Sequence, residues 1–546
     1  TWLFAAVALA LADLVVLPLA WIARYALTGA DGSPTAAHLV QLATDPALRG
    51  PFAAALGIAL ASAALATVVA LPLAWLVART DVPGRSGLRA NGGVTKLAVA
   101  WELLAAPNSG LLNAWARWAF GWDEFDYLFD IYTPAGVAFC IACYTFPYVF
   151  TLLANGLESI PADIEDASHI LGAGAWATAR RVTVPLVLPA IAAGSLVCFL
   201  QALTIFGTPA ILALPAGFHT LTTKIWSLFQ YPPKTNLAAA TSVPLLLITL
   251  AVLAVQRRLL GRRGYATIGG KNSQPRTVRL GPSRWPALGL CLGIMAAPVF
   301  LPYAALIKAA MVERISDPLS WATLSARHLR FVLWEFSGTR PALANTLALG
   351  VASATLVTAA ALVVAYLASR RLAPGSRFLP ALAMAPIAVP GIVMGVGLFL
   401  VYSRSPFLLY GTLWILVLGF VTLEMPAGFQ QVQAAMRGLH VELEEAARIF
   451  GATRLGALRG IVAPLMRSTV IATWSIVFIA TVRELSATIL LTTSETKVIS
   501  VVIYDLNESG EQGAIAVMGL TLLAATFAVV WGVNRLPILG GPRRFG

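Results

Sequence analysis

Charged side chains are sparse in this sequence, and those that interrupt its apolar runs are the first candidates for chemistry. Glu424, Arg483 and Glu484 lie in or beside such runs, as do Asp13 and Glu102. A charge within a bilayer-length apolar segment is costly and marks a functional site by default. Arg483 and Glu484 open a loop after an apolar run, where they would gate a pore or meet a partner, or form an ion pair with neighbouring helices. Glu424 precedes Pro426 within a run, so its carboxylate needs a partner. No catalytic set accompanies these residues: there is no HExxH, no GxSxG, and the five histidines are scattered. Tyr132, Tyr144 and Tyr148 offer oxygens, but no cluster has metal-ligand spacing, and interfacial aromatic belts account for such tyrosines. Cys140 and Cys143 form a CxxC with no second pair, so the cysteines are read as small packing residues and no metal site is assigned.

A second constellation occurs twice. Asp166-Ala167-Ser168-His169-Ile170-Leu171-Gly172 is followed by Pro185, thirteen residues after the glycine. Glu445-Ala446-Ala447-Arg448-Ile449-Phe450-Gly451 is followed by Pro464 at the same distance. Pro161 suits a first helical turn, and Asp163, Glu165 and Asp166 favour its positive end, as do Glu442, Glu444 and Glu445 in the second copy. Ile164, Ala167 and Leu171 share one face, as do Leu443, Ala446 and Phe450. Each glycine permits a left-handed turn that stops the helix. The product is a short surface helix with a small-residue face bordered by charge, which suits a groove on another protein. Two copies at matched places predict two docking elements for a soluble, energy-supplying partner, with Asp166, Ala167, Gly172, Glu445, Ala446 and Gly451 at their centres.

The elements around them are membrane spans. Of the 546 residues, 58% are hydrophobic and 12% charged, about half the usual charged fraction of roughly 25%. Apolar runs of about 20 residues recur along the length. The reading is an all-α, polytopic membrane protein of about twelve transmembrane helices in two parallel six-helix repeats. The first run, at 2–26, is read as a retained helix rather than a removed signal peptide. The third span is weak: residues 97–106 are short and carry Glu102. Spans at 287–309, 342–368, 378–401, 411–430, 464–482 and 512–533 make the second half. The net charge of +13 collects in short loops such as Arg79, Arg85, Arg89 and Lys96, in Arg370, Arg371 and Arg377, and in the tail at Arg543 and Arg544. That distribution argues for retention on the cytoplasmic side and contact with a lipid bilayer, not for nucleic acid. It divides the chain into a first unit at 1–255, a basic cytoplasmic linker at 256–285 and a second unit at 286–546.

A shift of 279 (445 − 166) also carries Gly172 onto Gly451, Pro147 onto Pro426 and Phe199 onto Phe478. Upstream, the segment ending at Arg79 matches that ending at Arg370, a shift of 291 (370 − 79). The first half is therefore longer by 12 between these anchors, and the extra residues are expected in the acidic outer stretch at 107–133. Both docking elements share a side, so the repeat is parallel.

Glu445-Ala446-Ala447-x-x-x-Gly451 resembles the EAA loop of permease subunits of ABC importers, and Asp166-Ala167-Ser168-x-x-x-Gly172 is a copy in which Asp166 and Ser168 replace Glu and Ala. Leu221-Thr222-Thr223-Lys224-Ile225-Trp226, the linker Arg262-Arg263-Gly264-Tyr265-Ala266-Thr267 and Arg483-Glu484-Leu485-Ser486-Ala487-Thr488 resemble fused two-unit permeases of the ferric-iron type. Permeases for thiamine, 2-aminoethylphosphonate and polyamines are similar in design. The resemblance implies a bacterial inner-membrane importer of iron(III), two cytoplasmic ATP-binding subunits on the EAA helices, and an extracytoplasmic solute-binding protein. No GxxxxGK[ST] is present, so ATP is assigned to partner subunits and neither a cofactor nor an enzymatic activity to this chain. A secondary transporter driven by an ion gradient is the competing class, with buried acids such as Glu424 carrying the coupling.

Overall fold

The computed structural model describes residues 2–29, 31–85, 98–261, 277–370 and 375–535. Most of the predicted linker (262–276), the basic tail, Arg89, Lys96 and Arg371 lie outside the described residues. Within them the chain is helical, with no strand beyond three isolated backbone bridges. A single segment crossing hydrocarbon pairs all its own backbone groups only as a helix. Among the described residues, eight helices are long and apolar enough to cross a membrane, or up to eleven when each sharply bent pair is one crossing.

The first half contributes α1 (Trp2–Ala26), α2 (Pro46–Arg79), α3 (Ala98–Ala105), α4 (Leu111–Phe120), α5 (Pro134–Glu158), α6 (Ala162–Ile170), α7 (Val184–Thr204) and α8 (Thr235–Gly261). The second contributes α9 (Arg284–Met311), α10 (Thr339–Ser369), α11 (Leu379–Met384), α12 (Gly391–Tyr402), α13 (Leu413–Arg437), α14 (Glu442–Ile449), α15 (Arg467–Val482) and α16 (Gln512–Arg535).

Two predicted spans are not straight. The stretch at 378–401 bends by 107° between Ser376–Ala388 and Gly391–Tyr402. Pro386 and Pro390 lie at the bend; proline lacks an N–H and restricts its predecessor, so the helix ends and restarts there. The stretch at 464–482 bends by 71° between Leu458–Leu465 and Arg467–Val482, with Met466 out of helical geometry at ψ 6°. Of the weak third span of the first half, the described part is α3, eight residues, about 12 Å of helix. It is buried, with Trp101 edge-on to Phe139 of α5.

The acidic stretch after α3 is folded. The buried Asn113 side chain donates to the carbonyls of Ala106 and Phe129 and accepts from the amides of Leu128 and Phe129. Arg117 donates to the carbonyls of Pro107, Asn108 and Asp126. Two side chains thus satisfy backbone groups that a helix would have paired internally.

Packing divides the chain into two compact units. One comprises Thr1–Leu42, Ile225–Leu246 and Arg327–Gly546; there α1 packs against α12, with Gly397 facing Pro18 and Ile22. The other comprises Ala43–Lys224 and Leu247–Ala326, where α9 packs against α3 and α2. Each unit therefore takes the opening helix of the opposite sequence half.

The cores repeat. Phe146, Phe150, Leu153 and Leu157 form a buried stripe on α5, and at the same shift Met425, Phe429, Val432 and Met436 form one on α13. Small residues set how closely the helices approach. A Cβ on Gly194 of α7 would come within 3.0 Å of the Val149 backbone on α5. The matching positions are Thr473 and Gly428, so the small residue changes helices, and a Cβ on Gly428 would meet Val357 at 2.7 Å. Gly194→Leu is expected to destabilise by about 1–3 kcal/mol through overpacking. Gly289→Leu, at a position with open space around it, is expected to change little. Thermal unfolding of the detergent-purified protein compares the two.

Candidate functional site

Both acidic stretches form short helices just beyond a span, α6 after α5 and α14 after α13. Pro161 sits one place before the first turn of α6, in extended geometry, rather than within it. Carboxylates fill both first turns: Asp163 and Glu165 in α6, and Glu442, Glu444 and Glu445 in α14. The helices end alike. Gly172 has φ +84° and Gly451 φ +88°. The Ala173 amide donates to the Ser168 carbonyl at 3.1 Å and the Ala452 amide to the Ala447 carbonyl at 3.0 Å, each closing the six-residue loop of a left-handed helix stop.

The stop leaves apolar side chains in the open. Ile170 and Leu171 are 86% and 87% exposed, and Ile449 and Phe450 are 83% and 91% exposed. Asp166, Ala167, Glu445 and Ala446 are exposed too. Acids around an uncovered apolar tip make a surface suited to a partner's groove.

What holds each helix against its bundle is a buried ion pair that the sequence reading did not single out. Arg79 is the last residue of α2, and its Nη1 lies 3.2 Å from Glu165 Oε2, with both side chains at most 10% exposed. Arg370 follows α10; its Nε donates to Glu444 Oε1 at 2.8 Å, and its Nη2 lies 2.6 Å from the same oxygen. Nη2 also donates to the Leu439 carbonyl. Glu165 and Glu444 differ by 279 and Arg79 and Arg370 by 291, so the pair belongs to the repeat. A cation at a helix C-terminus is favourable in its own right, and the carboxylate neutralises it where water is excluded.

Beyond each glycine comes a single helical turn, Ala175–Thr178 or Arg454–Ala457, and then a π-helical turn, Ala179–Thr183 or Leu458–Val462. The π turns coincide at the shift of 279, and such turns are frequent at functional sites.

The candidate pore residues lie elsewhere. Glu424 is half-buried on α13, and Arg483 is exposed at the end of α15. The Glu484 carboxylate accepts from the amides of Ala487 and Thr488 and from Thr488 Oγ1, so it caps the short helix Thr488–Leu491. Its carbonyl accepts from Ser500 Oγ at 2.8 Å. In the first half the matching carbonyl belongs to Ile205 and accepts from Thr222 Oγ1 at 2.9 Å. The backbone closure is shared and the carboxylate is confined to the second half. Tyr132 donates to the buried Glu102 at 2.7 Å. Among the described residues no three metal-binding side chains cluster.

Arg79→Ala or Arg370→Ala leaves a buried carboxylate without its cation and is expected to cost about 3–5 kcal/mol. Replacing both partners of a pair by methionine is expected to recover most of that loss. Thermal unfolding of the purified single and double variants measures both effects.

The profile of the family described as binding-protein-dependent transport system inner membrane component matches this chain twice, over residues 103–264 and 358–536. The chain is 27% identical over 441 residues to the ferric transport system permease protein FbpB of Actinobacillus pleuropneumoniae, covering 79% of this chain and 63% of that protein. It is 27% identical over 397 residues to the putative ferric transport system permease protein FbpB 1 of Haemophilus influenzae, covering 71% and 61%. To the probable ABC transporter permease protein y4fN of Sinorhizobium fredii it is 23% identical over 490 residues, covering 84% and 82%. The chain thus spans less than two thirds of the first two relatives. Two matches in tandem account for the internal repeat and for the many apolar helices of a multi-pass inner-membrane protein, and the chain belongs to the family of binding-protein-dependent transport system inner membrane components.

Proposed function

We propose that this chain is the permease of an ATP-binding-cassette importer, which moves iron(III) inward by alternating access. Two cytoplasmic ATP-binding subunits dock on α6 and α14, and an extracytoplasmic solute-binding protein delivers the solute. One observation carries this reading: two matched helices, each pinned by a buried Arg–Glu pair, each presenting an uncovered apolar tip beside acids. These 546 residues contain no GxxxxGK[ST] loop, and such contacts would let them receive energy from an ATP-binding subunit. Closure of the docked subunits on ATP favours one arrangement of the helices over the other, which is how a ligand shifts a conformational equilibrium.

In this account Asp166, Ala167, Gly172, Glu445, Ala446 and Gly451 form the coupling surfaces. Glu424, Arg483 and Glu484 belong to the solute path or its gate. Iron(III) is favoured because the ferric permeases of Actinobacillus and Haemophilus are similar to this chain. Thiamine, 2-aminoethylphosphonate and polyamines remain alternative solutes for the same architecture.

Glu445→Lys and Gly451→Pro are expected to abolish uptake and the co-purification of ATP-binding subunits, while the chain still inserts in the membrane. Retention of both activities in both variants overturns the docking reading. In vesicles loaded with ATP, uptake is expected to survive collapse of the ion gradients. Loss of uptake there favours the gradient-driven class. Competition of labelled iron(III) uptake by each alternative solute identifies the cargo.

A further inference from the structure

The two coupling helices share a backbone plan but are tied to their surroundings by different side chains. In the first copy two hydrogen bonds link α6 to the segment leading into α7. Ser168 Oγ and Thr178 Oγ1 hydrogen-bond at 3.0 Å. Thr183 Oγ1, in the π turn, donates to Glu165 Oε1 at 2.7 Å. Thr178 and Thr183 are both buried, so water competes little for these bonds. Glu165 is therefore held on one oxygen by Arg79, upstream, and on the other by Thr183, downstream.

At the same places the second copy has Ala447, Ala457 and Val462. None of these side chains can form a hydrogen bond, so all three donors and acceptors of the first copy are missing together. The side-chain bonds that fasten α14 run upstream: Arg370 reaches Glu444 twice and the Leu439 carbonyl as well. The helices beyond the π turns differ in the same sense. Trp176–Thr204 runs through its π turn as one span of 29 residues. The second copy is broken by 71° at Met466.

We propose that the two coupling helices are unlike levers. Ser168, Thr178 and Thr183 are positioning residues that clamp α6 to α7, so displacement of α6 by its docked subunit moves α7 directly. α14 lacks the clamp, and its displacement is taken up at Met466 before it reaches α15. The departure of Ser168 from the Ala found in the second copy then has a mechanical meaning. The inference rests on the ATP-driven reading above, but the clamp itself is testable without it.

Hydrogen–deuterium exchange on the purified chain in nanodiscs tests the clamp. Amides at 179–183 are expected to exchange more slowly than those at 458–462. Ser168→Ala with Thr183→Val is expected to accelerate 179–183 on the order of tenfold, as loss of two modest hydrogen bonds implies. Thr183→Ser alone is expected to leave it slow. The reciprocal graft, Ala447→Ser, Ala457→Thr and Val462→Thr, is expected to slow 458–462. Unchanged exchange at 179–183 in the double variant overturns the clamp.

The complex reconstituted with its ATP-binding subunits and solute-binding protein tests the lever. The double variant is expected to hydrolyse ATP within about twofold of the parent while uptake per ATP falls on the order of tenfold. An unchanged ratio, with exchange accelerated, overturns the lever. If the parent chain recruits no ATP-binding subunit, the proposed function fails, and the exchange comparison still decides the clamp.

Discussion

The rest of the structure depends on a carboxylate that has been taken out of water. Burying a carboxylate is costly unless a cation and hydrogen bonds compensate it, and Arg79 and Arg370 supply both to Glu165 and Glu444 from the ends of α2 and α10. Once that residue is fixed inward, the helical period fixes its neighbours. Asp166 and Ala167 turn outward, as do Glu445 and Ala446, because successive residues lie about 100° apart. The glycine that follows ends the helix before its last apolar residues can fold back, and Leu171 and Phe450 are left uncovered. One ion pair in each half thus sets where the helix sits and which of its side chains are left uncovered.

The same backbone plan is used twice with different chemistry. The stripe of Phe146, Phe150, Leu153 and Leu157 recurs as Met425, Phe429, Val432 and Met436, conserving volume more than identity, which is what close packing demands. Gly194 on α7 faces α5, and at the matching pair of positions the glycine stands instead on α13 as Gly428, tight against Val357 of α10. The outer loop closes on a carbonyl in both halves, but a carboxylate side chain stands there only as Glu484. The two sequence repeats therefore share a backbone plan while differing in the polar side chains they carry. The hydrogen bonds of Ser168 and Thr183 extend that inequality to α6 and α14.

Much of this was legible in the sequence. Bilayer-length apolar runs gave most of the spans, since a crossing segment has only one way to pair its backbone. The repeat located α6 and α14 and their glycine stops. The ion pair was not recognised, although Arg79 and Arg370 marked one repeat and the acids of α6 and α14 another. Their shifts differ by 12, so an argument from spacing alone kept them apart. The break at Met466 was also hidden, because hydropathy records length and not direction. Pro386 and Pro390 were a visible signal for the bend before α12. The folded stretch at 107–133 gave no signal at all, because Asn113 and Arg117 act through backbone groups that no side-chain pattern reveals.

The central claim is that α6 and α14 are the surfaces through which ATP-binding subunits drive this chain. Its most direct test is disulfide trapping in inverted membrane vesicles, with single cysteines at Ala167 and Ala446 and a cysteine introduced beside the helix-binding groove of the ATP-binding subunit. The account predicts that both positions cross-link, and that vesicles of the opposite orientation leave both inaccessible to a membrane-impermeant thiol reagent. Labelling of either position from the outer side, or no cross-link at both positions in a complex that hydrolyses ATP, would contradict it.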